Sequence, residues 1–188
     1  MRRSLLVGGA LSALVITGCA ADPEPGRSAP AERFAGFAGV VKETDNYLAI
    51  AVMGDRARAF VCDDNDEAWF EGSVGKDGVA TLTGPDGKKP VGFFNTLQGM
   101  GSFWIEGRLR TFQAAPVDKT AGLYRAQSPN GQLVAGWVVL PNGDQVGAVT
   151  LNGVNQPAPP IKPGQKTVTV AGQELPLKSG PEQLASSG

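Results

Sequence analysis

The chain of 188 residues contains no histidine. That absence removes Ser–His and Cys–His nucleophile systems, imidazole bases and histidine-ligated zinc. Cysteine is scarce, with two residues, and aromatics make up a modest 7%. No apolar run reaches the roughly 18 residues of a membrane-spanning helix. Lysine and arginine number 17 against 18 acidic residues. No basic patch interleaved with aromatics occurs, so nucleic acid is not an expected partner. No helical period of useful length runs through the chain, and no cofactor is expected.

Glycine and proline are abundant, at 26 and 14 residues. Many short strands joined by tight turns give such a composition. The glycines have no three-residue period and apolar residues reach an ordinary 41%. Collagen-like and disordered classes are thereby disfavoured.

At the N-terminus, Arg2 and Arg3 precede an apolar stretch from Leu5 to Ile16, followed by Thr17-Gly18-Cys19. This is the layout of a secretory signal peptide. Its last four residues resemble the lipobox of bacterial lipoproteins. The resemblance implies cleavage before Cys19, a diacylglycerol on its sulfur and acylation of the new amino group. The expected organisation is a signal peptide at 1–18, a Pro/Ala-rich tether at 19–33, a β-rich domain at 34–178 and a tail at 179–188. Lipid on Cys19 would hold the protein on the outer face of the cell membrane. The paired arginines also resemble a twin-arginine export signal, and the export route stays open. With Cys19 lipidated, Cys62 has no intramolecular partner and is read as a small buried hydrophobe.

From Phe34 onward, turn signals recur at the spacing of an antiparallel meander. Tyr47–Met53, a Gly54-Asp55 turn and Arg56–Cys62 form one hairpin. Alternation sends Ala57, Ala59 and Val61 to one face, and Arg56, Arg58, Phe60 and Cys62 to the other. Further strands are expected at 68–74, Val79–Thr83, 92–97, 102–105 and 109–114. Asn142-Gly143 between 133–140 and Gln145–Leu151 is a strong hairpin signal. A last pair is expected at Thr167–Val170 and 174–177. The predicted fold is all-β, an antiparallel meander of about nine strands forming a barrel or sandwich.

Arg58–Asp63, Ala121–Arg125 and Gly136–Gly143 resemble stretches of exported actinobacterial proteins, mycobacterial-type lipoproteins among them, that have no assigned function. The similarity spans roughly 40–161. It implies an envelope lipoprotein with a β-rich domain and carries over no catalytic residue.

Side-chain chemistry marks several candidate sites. Ser73-Val74-Gly75-Lys76, Ser128-Pro129-Asn130 and Lys178-Ser179-Gly180 match the three short motifs of serine β-lactamases in order. The first falls at a turn between strands, where the lysine cannot sit one helical turn from the serine. Asp63, Asp64 and Asp66 form an acidic loop with weak potential as cation ligands. Its sixth and twelfth positions, Ala68 and Val74, lack the glycine and glutamate of a helix–loop–helix calcium site, so a solvated turn is preferred. Glu71 and Glu106 are carboxylates that a hydrolase would need close together. Trp69 shares a face with Glu71, and Trp104 with Glu106. These four form the candidate binding surface, with both tryptophans expected to be exposed. The expected function is non-enzymatic binding of a partner protein or envelope component by a lipid-anchored β-domain. The alternatives are a carrier enclosing an apolar ligand in a barrel and a small carboxylate hydrolase.

Overall fold

Turn and strand residues alternate from Phe34, and the backbone follows them. A computed structural model describes residues 33–63, 66–84, 90–105, 108–118 and 120–185. The expected signal peptide, the expected tether up to residue 32 with Cys19, Asp64 and Glu106 lie outside the described residues. The first eight strands are β1 (Phe34–Val41), β2 (Tyr47–Met53), β3 (Arg56–Cys62), β4 (Glu67–Val74), β5 (Val79–Thr83), β6 (Pro90–Asn95), β7 (Met100–Ile105) and β8 (Arg108–Val117). Each pairs antiparallel with the next, and β1 closes on β8 with Phe37 opposite Pro116 and Val41 opposite Phe112. The result is a closed barrel. Gly54 takes φ 62° in the β2–β3 turn, a left-handed conformation that costs glycine little.

A second meander follows: β9 (Gly122–Gln127), β10 (Leu133–Val139), β11 (Gln145–Leu151) and β12 (Val154–Pro157). The hairpin of β13 (Thr167–Val170) and β14 (Gln173–Ser179) then returns so that β14 pairs with β9. The sheet order is β12-β11-β10-β9-β14-β13. Ser179 is the last residue of β14, and 180–185 form a short helix, α1 (Gly180–Ala185), with Leu184 buried. The fold is all-β and antiparallel and closes a barrel, as the sequence leads one to expect. Among the described residues there are fourteen strands rather than about nine, divided between the barrel and a second sheet.

Barrel and sheet belong to one unit, 32–188. Inward alternation fills the barrel with Phe37, Leu48, Ile50, Phe70, Leu82, Phe94, Phe103 and Phe112. Its rings stack in a chain, with centroids 4.7 Å apart for Phe70–Phe103 and 4.9 Å for Phe103–Phe112. Phe94 extends it, meeting Phe112 at 5.8 Å and Phe37 edge-on at 4.8 Å. Eight strands enclose about the width that side chains can fill. Each aromatic pair adds ~0.5–1.5 kcal/mol to the area it buries.

The second sheet has its own core of Tyr124, Leu133, Trp137, Val149, Leu175 and Leu177. Trp137 donates its indole N–H to the Pro159 carbonyl at 2.8 Å, and Gln145 clasps the Ile161 backbone from both sides. The sheet's other face meets the barrel, where Leu123, Val138 and Ala148 pack with Ala38, Ala49, Ala51, Phe60 and Cys62. Strand β2 is therefore apolar on both faces because both are covered by protein. Cys62 is buried in this junction, with Sγ 3.8 Å from the Val146 carbonyl.

Candidate functional site

The junction turns polar where β3 and β4 of the barrel face β9 and β14 of the second sheet. Arg58 lies opposite Glu71, and Phe60 opposite Trp69, all on the outer barrel face. Across from them, β9 presents Arg125, which pairs directly with Lys178 of β14. Close approach is possible because β10 offers Gly136 here. A Cβ at that position would sit 2.5 Å from the Phe60 ring and 2.6 Å from the Trp69 ring.

Trp69 was expected to be exposed, and it is instead half-buried. Phe60 packs against it at a centroid distance of 4.3 Å, and the Arg125 guanidinium sits 4.5 Å over the ring centre. Arg125 donates to Gln127 Oε1 at 3.1 Å, so its fork is held in plane. Burial, then the nearby Arg58, pull Arg125 below the ordinary arginine value, while Glu71 and Glu67 push it back. The guanidinium remains charged. Arg58, whose side chain is only 14% exposed, bonds Glu71 at 2.5 Å.

Glu67, at the start of β4, is raised above the usual glutamate range by burial. The Thr150 hydroxyl, Arg125 and the Trp69 indole oppose that rise. The indole's pull is weak, because neither Trp69 Nε1 nor Glu67 Oε2 reaches good hydrogen-bond geometry. Thr150 Oγ1 contacts both Glu67 Oε1 and, at 2.8 Å, Asn155 Oδ1. Thr150 donates its hydroxyl to the Glu67 carboxylate, which ties the start of β4 to β11. Glu67 thus turns to β11 and Glu71 to β3, and the two carboxylates serve different neighbours.

Two recesses flank Arg125. One of about 570 Å³ is lined by Arg58, Glu71, Arg125, Ser128 and Lys178 among others. The other, of about 490 Å³, is lined by Glu67, Trp69, Glu71, Thr83, Arg125 and Thr150.

Trp104 lies on a different part of the barrel wall and is 53% exposed. It pairs with Leu109, while Phe93 of β6 and Met100 of β7 share its outward direction. All three are large apolar residues left in solvent. The structure thus brings Trp69 and Glu71 together and puts Trp104 elsewhere. Asp63 accepts hydrogen bonds from the Asn46 side chain at 3.0 Å and the Asp66 backbone at 2.7 Å, which closes the β3–β4 turn. Among the described residues, no three His, Cys, Asp or Glu side chains gather as metal ligands. Ser73 sits on β4 with Lys76 in the following turn, and Ser128 is bonded to Asn130 and Leu133 in the β9–β10 turn.

Sequence reasoning missed Arg58, Arg125 and Lys178 as a group. They stand far apart in the chain, and only the return of β14 onto β9 gathers two of them. Phe93 carried a usable signal, since alternation opposes it to Phe94 in the core, whereas Leu109 lies between Arg108 and Arg110 and its local pattern points the other way. Comparison with known protein families, curated proteins and solved structures finds no match to this chain.

Proposed function

We propose that this protein is a non-enzymatic binding domain, held on the outer face of the cell membrane by lipid on Cys19, that engages a partner protein of the envelope. The observation that carries this reading is the open barrel wall. Phe93, Met100, Trp104 and Leu109 lie on three consecutive strands and are each about half exposed. Val40 of β1, 43% exposed, extends the patch beside Gln113. Contiguous apolar patches of this kind mark interaction surfaces on soluble domains, and tryptophan is enriched among residues that dominate binding energy. The barrel wall of β1–β3 has the second sheet as its partner, whereas the β6–β8 wall has none among the described residues. The carrier alternative loses support, because stacked phenylalanines occupy the barrel interior.

The test is a photo-crosslinking amino acid placed at 104, 93 or 142 in cells. Crosslinks to one discrete protein from 104 and 93, but not from the β10–β11 turn at 142, support the reading. Equal crosslinking from all three positions, or none, counts against it. Cys19→Ser is expected to move the protein from the membrane fraction to the medium or soluble fraction.

A further inference from the structure

We propose that the recess between β3–β4 and β9–β14 is a binding site for an organic oxyanion, a small molecule bearing a phosphate or carboxylate group, held by Arg125, Arg58 and Lys178. Three cations and one carboxylate line this space. Arg125 and Lys178 occupy directly opposed positions on paired strands, which puts both on the face that lines the recess. Arg58 adds its field from the barrel side, and the lone lining carboxylate, Glu71, is bonded to it.

The recess is also shaped in advance. Trp69 supports the Arg125 guanidinium from below, and Gln127 holds it from the side. A planar fork fixed in this way suits the paired oxygens of a carboxylate or phosphate. Such an arginine loses little further side-chain entropy on binding. The volume of about 570 Å³ exceeds what an oxyanion alone requires and falls in the range of small-molecule sites. Pro129 and Pro176 provide apolar wall for the rest of the ligand. This site is separate from the open wall of β6–β8, and neither depends on the other.

The experiment is calorimetric titration of the full-length chain at low salt with glucose 6-phosphate, glucuronate and glucose. The three share a sugar body and differ in the oxyanion. Saturable binding of one or both anionic sugars, with none for glucose, is the expected result. Phosphate-only or carboxylate-only binding supports the proposal and assigns the geometry of the ligand group. Lys178→Gln is expected to weaken binding about tenfold, or ~1.4 kcal/mol. Lys178 is exposed, so this change leaves the Arg125–Trp69 stack in place. Arg125→Gln should weaken binding further and remove the ligand-induced change in Trp69 fluorescence, with near-ultraviolet circular dichroism reporting whether the junction remains packed. Failure of both anionic sugars to bind, equal binding of glucose, or unchanged affinity in Lys178→Gln would overturn the proposal.

Discussion

Phe103 and Trp104 are neighbours in sequence and opposites in environment. Phe103 is fully buried between Phe70 and Phe112, whereas Trp104 is 53% exposed on the wall beside Leu109. The lumen of the barrel is closed, apolar and filled, while its wall is covered by the second sheet in one sector and open in another. Ring chemistry does not separate these fates. Position parity on a closed sheet does, because each strand must send alternate residues inward. The contrast locates stability in the lumen and the proposed recognition on the wall, and it can be tested by substitution.

The largest effect is expected in the lumen. Phe103→Ala removes the middle ring of a stack and leaves a void that three neighbouring strands cannot close. The loss should be ~3–5 kcal/mol, read as a lowered urea midpoint at constant slope. A loss below ~1 kcal/mol would mean that the lumen is not the rigid, filled core described above.

Next comes the junction. Gly136→Ala drives a methyl group into Phe60 and Trp69. Both rings are backed by other groups, Trp69 by Arg125, so neither moves freely. The expected cost is ~1–3 kcal/mol. Near-ultraviolet circular dichroism should report the displaced tryptophan, and little disturbance would show that sheet and barrel are less tightly apposed.

How much of this was legible in the sequence follows from the same geometry. The hairpin of β2 and β3 could be read because strong alternation flanks a glycine turn, and the assignment of Ala57, Ala59 and Val61 to one face holds. The two apolar faces of β2 signalled double burial, though not what covered the outer one. Strand β1 was not seen, since Phe34–Val41 is rich in alanine and glycine and lacks alternation. Strand β12 is exposed at all four residues and carries no pattern at all. Trp69 was assigned correctly to the outer barrel face and wrongly to solvent. The covering sheet lies more than fifty residues downstream, and local alternation cannot report a distant neighbour. The charged recess was hidden for the same reason, as Arg125 meets Lys178 only through strand return.

The third effect is a pH dependence from Glu67. Its folded pKa lies above its unfolded value, so the native state binds the proton more tightly. Stability should therefore fall as pH rises from the ordinary value near 4.5 through the raised folded value. Glu67→Gln keeps an oxygen that can accept from Thr150 and has no charge to bury. It should flatten that slope and stabilise the protein at neutral pH. Asp118 and Glu182 shift the other way, lowered by hydrogen bonds from Thr120 and Ser179. Their contribution is lost only as pH falls below the ordinary range, and both are solvent-exposed, so the windows separate. Denaturation midpoints measured from pH 4 to 8 check this, and an unchanged slope in the variant would assign the dependence to another group.

The smallest stability change belongs to Trp104→Ala, and it sharpens the comparison most. The indole projects from the wall and its removal opens no cavity, so the expected shift is within ~0.5 kcal/mol. Loss of crosslinking with preserved stability would separate recognition from folding at one residue, immediately beside the position where folding is most sensitive. A destabilisation approaching that of Phe103→Ala would instead mean that the indole is covered in the folded protein, and the open wall would cease to support partner binding. Phe93→Ala provides the control from the adjacent strand. It lies on the same wall and should reproduce the Trp104→Ala pattern if one continuous surface is recognised.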